Sequence, residues 1–177
     1  IQTMTFASFL PVPSLRDAFQ TALCYAKSFP ASADGGKGLL FYGPVGTGKT
    51  HLAGAISNAL IARGFDVVWA NTPQFISKLK RSFDTGISEA SIMESHIRAG
   101  LLVLDDIGSE RPTEWVESRL YEVINARLER KAPIVFTSNC SSQELFDRLG
   151  ERIVSRIREI AHAVRFEAPD FRKSLPR

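Results

Sequence analysis

The eight residues from Gly43 to Thr50, GPVGTGKT, fit the phosphate-binding template GxxxxGKT at every fixed position. Gly43, Gly46 and Gly48 let the backbone turn tightly and aim successive N–H groups inward, where they can hold phosphate oxygens. Pro44, Val45 and Thr47 fill the variable positions of the same cradle. Lys49 then reaches the β- and γ-phosphates as a point charge, and the Thr50 hydroxyl ligates the magnesium that bridges them. His51 follows directly and can approach the nucleotide, although its position alone gives it no role.

A second set of polar residues completes such a site. The aliphatic run Leu101 to Leu104 ends in Asp105-Asp106. Asp105 is suited to hold the magnesium through its water shell; Asp106, one residue further and pointing the other way, is suited to orient or deprotonate an attacking water. Asn139 closes a later run, Ile134 to Thr137 followed by Ser138. Its amide could bond both the γ-phosphate and the lytic water. Taken alone it is better read as an Asx turn after a strand. Arg152 and Arg156 lie four apart on the polar face of a helix whose Ile153, Val154, Ile157 and Ile160 turn inward, so both point outward together. An outward arginine is usually solvated surface, but in an oligomer it can act as an arginine finger on a neighbour's γ-phosphate.

The elements that must position these residues follow from periodicity. Gly38 to Tyr42 is a short apolar run bounded by glycines, a buried strand. Leu52, Ala53, Ile56, Ala59 and Leu60 recur at helical spacing after the cradle, with Gly64 as the stop. Further strands are expected at Asp66 to Ala70, Leu101 to Leu104, Ile134 to Thr137 and Ala163 to Phe166. Helices are expected from Ser14, as its cap, at 73–83, at 87–98, after a Thr113 cap, near 142–149 and at 151–161. Arg127, Arg130 and Lys131 fall in the last turn of the fourth of these, where positive charge suits the helix dipole. The first residues, with Phe6, Phe9, Leu10, Pro11 and Pro13, read as an arm that tucks aromatics against a core, and Pro30 to Lys37 as a polar link. Phe75, Trp69 and Trp115 read as core. Strands alternating with helices argue for an α/β fold with a parallel sheet covered on both faces, ligands sitting at the strands' carboxyl ends.

Composition agrees with one globular domain. At 177 residues and 19.6 kDa the chain can bury one α/β core, and its 44% hydrophobic and 23% charged residues are ordinary for a soluble protein. No apolar run approaches the ~20 residues that cross a bilayer, and nothing N-terminal resembles a signal peptide. Cys24 and Cys140 match no metal spacing and read as reduced thiols in a cytoplasmic protein, a chance pairing aside. A net charge of +3 permits a nucleic-acid partner without demanding one. A chain opening on Ile1 rather than methionine reads as a piece of a longer protein.

In this order and at these spacings, GPVGTGKT, LLVLDDIGSE, TSN and LGERIVSRI resemble the AAA+ ATPase core of the DnaC/DnaI-type replicative helicase loaders, close to the transposition helper IstB and more distantly to the initiator DnaA. The similarity runs from Thr5-Phe6-Ala7-Ser8-Phe9 to Asp170-Phe171-Arg172-Lys173. It implies a three-layer P-loop NTPase core filling residues 1–177 as a single domain, with an arm and helix at 1–37. It implies an initiator-type helical insertion at 72–100 lining a single-stranded DNA path, Asn139 as sensor I and Arg156 as the finger. ATP and ADP would be the nucleotides and Mg2+ the metal. The partners implied are a hexameric DnaB-type helicase, single-stranded DNA and further copies of the chain in a nucleotide-dependent spiral, with no membrane.

The chain departs from the family in three ways. Asp106 stands where many AAA+ proteins have glutamate. About a dozen residues follow Val164, too few for the usual C-terminal helical lid, so only Arg172 could replace a lid-borne sensor II. The N-terminal helicase-binding domain of such loaders is not in this sequence. On the insertion, Lys78, Lys80 and Arg81, with Phe83 nearby, would suit backbone neutralisation and stacking, although a basic helix face is more often merely solvated. Alternative readings are a transposition helper acting on duplex DNA, a nucleotide-gated binding module with incidental hydrolysis, and a small-molecule P-loop kinase.

Overall fold

Leu101, Leu102, Val103 and Leu104 are all fully buried, which requires cover on both faces of the strand that carries them. The computed structural model describes residues 3–10, 12–30, 36–86, 88–110 and 113–171, and supplies that cover. The elements run α1 (Arg16–Ser28), β1 (Gly38–Tyr42), α2 (Lys49–Ile61), β2 (Val67–Asn71), α3 (Thr72–Thr85), α4 (Glu89–Arg98), β3 (Leu101–Asp105), α5 (Glu114–Glu129), β4 (Ile134–Ser138), α6 (Ser142–Ile160) and β5 (Ala161–Arg165). Among the described residues the sheet has the order β2-β3-β4-β1-β5, with every pairing parallel. Leu39, Phe41, Leu101, Val103 and Val135 face one apolar layer with α1 and α2. Leu40, Leu102, Leu104, Ile134 and Phe136 face the other, with α3 to α6. This is the three-layer α/β architecture expected.

Local signals fix several ends. Thr113 accepts from Val116 N at 3.3 Å as the cap of α5. Ser141 and Glu144 form a reciprocal capping box at the start of α6. Gly64, in the left-handed region at φ 83°, terminates α2. The two helices expected on either side of Gly150 are present, parted where Gly150 adopts the non-helical φ 76°, ψ 164°, and are labelled together as α6. Phe75 is buried as expected.

Two expectations need correction. Ser14 does not cap α1: it lies in a 3-10 turn, Pro13–Leu15, whose tight geometry Pro13 favours and whose buried Leu15 precedes the helix without a side-chain cap. The arm does tuck its aromatics inward, with Phe9 buried and Phe6 packed against the same layer, while Leu10 is 83% exposed. Trp69 and Trp115 are half-buried at the margins of the two layers, and Trp115 carries Lys80 Nζ 5.5 Å from its ring centroid. Pro11, residues 31–35, the Phe83 side chain and Arg172 lie outside the described residues.

Arg127 lies in the last turn of α5 as expected, and it is wholly buried there. Its Nη1 donates to the carbonyls of His96 (2.8 Å), Ile97 (3.1 Å) and Ala99 (2.8 Å), and its Nη2 to that of Pro133 (2.7 Å). The guanidinium thus satisfies carbonyls at the C-terminus of α4 and ties them to the approach to β4. Burial pulls its pKa down to about 10, which leaves it charged at neutral pH. Arg127→Met should cost about 3 kcal/mol or more in urea unfolding, because several buried acceptors lose their donor. Arg127→Lys should recover only part of this, since one ammonium cannot reproduce the fork.

Candidate nucleotide-binding site

The carboxyl ends of β1, β3 and β4 come together on one side of the sheet, and each delivers polar residues there. After β1 the chain turns through the glycine loop and enters α2 at Lys49. Gly48 takes φ 93°, and a Cβ there would fall 2.6 Å from Phe9 Cε2, so both conformation and space require glycine. Lys49 is buried; its Nζ donates to Gly43 O at 2.8 Å and Pro44 O at 2.6 Å, inside the cradle. Thr47 is fully buried, its hydroxyl bonded to Pro44 O at 2.9 Å.

A chain of hydrogen bonds joins the loop to the acidic pair. Thr50 Oγ1 donates to Asp105 Oδ1 at 2.9 Å, and Thr137 Oγ1 donates to the same oxygen at 2.7 Å. Asp106 adopts φ 62°, in the left-handed region. Its N–H donates to Thr137 Oγ1 at 2.9 Å, and its Oδ1 accepts from Asn139 Nδ2 at 2.7 Å. Lys49, Thr50, Asp105, Asp106 and Asn139, chosen from sequence, therefore do line one cavity, of about 760 Å³. Val45, Gly46, Gly48 and His51 line it as well.

The donor set fits magnesium. No group of three or more His, Cys, Asp or Glu side chains suited to a metal occurs among the described residues. Magnesium bound with phosphates needs only one or two protein oxygens, and Thr50 and Asp105 are placed to offer them.

The rest of the cavity wall comes from Asn71 at the end of β2 and from both ends of the described chain. Met4, Ser8, Phe9 and Leu10 of the arm, and Phe171 near the other end, line it. His51 is turned to the arm: its Nε2 lies 3.0 Å from Thr5 O and 3.2 Å from Ser8 Oγ, and Phe9 packs on its ring at 5.4 Å. Asn58 Nδ2 donates to Met4 O at 2.7 Å one helical stretch further on. Phe171 N donates to Gly46 O at 3.0 Å, and a Cβ on Gly46 would fall 1.8 Å from Asp170 Oδ1. These contacts bring both ends of the described chain against the glycine loop.

Arg156 stands elsewhere. It lines a separate cleft of about 410 Å³ with Gly36, Lys37, Asn125 and Glu159, and shares no lining residue with the nucleotide cavity. Its Nη1 pairs with Glu159 Oε2 at 2.9 Å, and its bond to the Tyr121 hydroxyl raises its pKa. Arg152 lies over the same Tyr121 ring at 4.5 Å. Lys78, Lys80 and Arg81 are exposed on α3. Both cysteines are free, Cys24 exposed and Cys140 buried.

Sequence reasoning missed Glu110. It is buried, and both carboxylate oxygens accept from Gly108 N at 3.2 Å, closing the turn that follows Asp106. Its place in GSE after the acidic pair was the available signal.

A family model described as IstB-like ATP binding protein matches residues 31–175. The replicative helicase loader DnaC of Escherichia coli (strain K12) is 32% identical over 139 residues, 77% of this chain and 57% of its own length. The replicative helicase loader DnaI of Bacillus subtilis (strain 168) is 32% identical over 174 residues, 90% of this chain and 55% of its own length. A crystal structure of the DnaC helicase loader superposes with a TM-score of 0.83 at 30% identity, over 93% of this chain and 97% of that one. The chain spans a little over half the length of the curated relatives it matches.

Burial raises the Glu110 pKa above its ordinary 4.5, with Asp106 adding to the effect. Between 4.5 and the raised value the folded protein holds more protons than the unfolded one, so Glu110 makes stability fall as pH rises through that window. Glu110→Gln keeps an acceptor for Gly108 N and should melt higher than the parent at pH 7. The difference should close below pH 4.5 when melting is followed across pH.

Proposed function

The chain belongs to the IstB-like ATP binding protein family, with an AAA+ core, and on that premise we propose that it is a magnesium-dependent ATPase. In this reading it couples nucleotide state to self-assembly on single-stranded DNA and to delivery of a replicative helicase. The observation that carries the reading is the meeting of Lys49, Thr50 and Asp105 around one cavity.

The glycine-loop N–H groups and the Lys49 ammonium bind the β- and γ-phosphates of ATP, leaving ADP after transfer. Thr50 and Asp105 would hold Mg2+, which would supply charge neutralisation at the phosphoryl group. Asp106 orients the attacking water or takes its proton, and Asn139, already bonded to Asp106, senses the γ-phosphate. Arg156 cannot share its own chain's cavity. It serves instead as a finger for the neighbouring copy, which makes turnover depend on assembly.

The helix pair α3–α4, within the insertion at 72–100, lines the DNA path, with Lys78, Lys80 and Arg81 neutralising phosphates. Relatives named as replicative helicase loaders support a hexameric DnaB-type helicase as partner. No helix among the described residues is long and apolar enough to cross a membrane, and the proposed work on DNA places the protein in the cytoplasm. The family model's IstB name favours a second reading, a transposition helper. Affinity for single against double strands over a salt series separates the two.

Lys49→Ala should abolish binding of a fluorescent ATP analogue. Arg156→Ala should keep binding but lower turnover by about 10³-fold. Mixing Arg156→Ala with Asp106→Asn chains should restore part of the rate, since each then supplies what the other lacks. An Arg156→Ala protein with the parent's rate would remove the finger.

A further inference from the structure

Thr137 stands two residues ahead of Asn139 and is almost wholly buried at the tip of β4. Backbone pairing between β3 and β4 ends at Leu104↔Phe136. Asp105 and Thr137 occupy the next register, where side chains of neighbouring parallel strands point to the same face. That face is the one α2 covers, so Thr50 meets them there. The Thr137 hydroxyl has one proton and lone pairs to spare, and both kinds of capacity are used. It donates to Asp105 Oδ1 at 2.7 Å and accepts from Asp106 N at 2.9 Å. The Thr137 carbonyl accepts the following amide, Ile107 N, at 2.9 Å. Two consecutive N–H groups are thus captured by one residue, just where Asp106 takes the left-handed conformation that side-chain-bearing residues disfavour.

We propose that Thr137 is a positioning residue: its hydroxyl sets the Asp105 carboxylate for the metal and holds the turn that aims Asp106 at the water. The proposal rests on the Mg-ATP reading above. In that reading the metal takes a lone pair of Thr50 Oγ1 and leaves its proton on Asp105 Oδ1, so Thr137 is the second donor on that oxygen and the one not itself bound to the metal. Ligand orientation by an outer-shell hydrogen bond is a recurrent way of tuning metal affinity. A buried threonine serving only to satisfy local polar groups would stabilise the fold without moving any property of the metal.

The test compares Thr137→Val, which keeps shape and strand preference but loses the hydroxyl, with Thr137→Ser, which keeps the hydroxyl. A fluorescent ATP analogue is bound at increasing Mg2+ and separately in EDTA, turnover is measured alongside, and melting is recorded for each protein. The valine variant should need about 10-fold more Mg2+ for half-maximal binding and lose at least about 10-fold in kcat. Its affinity in EDTA should match the parent's, and serine should return both quantities close to the parent. If the valine variant does not fold, Thr137→Ala against Thr137→Ser gives the same comparison. A hydroxyl-free variant that melts lower yet keeps the parent's Mg2+ midpoint and kcat overturns the proposal alone. A parent protein whose analogue binding ignores both Mg2+ and Lys49→Ala would instead remove the nucleotide reading, and the proposal with it.

Discussion

The contact between Thr50 Oγ1 and Asp105 Oδ1, 2.9 Å long, joins positions 55 residues apart. It ties the first turn of α2, and with it the glycine loop, to the acidic tip of β3. The contact follows from topology. The chain leaves β1, crosses through α2 to the far edge at β2, and returns through β3 and β4 to pair beside β1. All the strands are parallel, so every turn that follows one opens on the same side. Ligands in open α/β sheets sit at such carboxyl ends for this reason.

The same constraint explains how the site is held rigid. The strands that deliver the loop, Asp105 and Thr137 are covered on both faces, so the polar tips are anchored by packing rather than by the loops themselves. Arg127 contributes from a distance by fixing the C-terminus of α4 to the segment before β4. The arm adds another tie. Met4 and Thr5 carbonyls are held by Asn58 and His51 of α2, directly behind the loop. In the proposed account a nucleotide in the cavity therefore meets residues from both ends of the described chain, and its presence bears on how the arm lies.

Much of this was legible in the residues. The template from Gly43 to Thr50 carries its meaning in fixed spacing, and the run from Leu101 to Asp106 announces a buried strand with an acidic tip. Both are local patterns that survive any tertiary context. What could not be read was set by partners distant in sequence. Arg127 looks like an ordinary cation in a last helical turn, and only the approach of α4 turns it into a buried cap. His51 sits beside the cradle but bonds the arm. Thr137 is one more polar residue at a strand end until β3 places Asp105 next to it. Ser14 had the composition of a cap, and the proline before it tightened the chain into a different turn.

The central claim is that the glycine loop and the acidic pair grip one magnesium triphosphate between them. A crystal structure of the protein with Mg2+ and a non-hydrolysable ATP analogue tests it most directly. The account predicts β- and γ-phosphates in the loop on Lys49, with a single metal bound by Thr50 Oγ1 and reached by Asp105, directly or through one water. A nucleotide bound elsewhere, or a metal beyond the reach of Asp105, would contradict it.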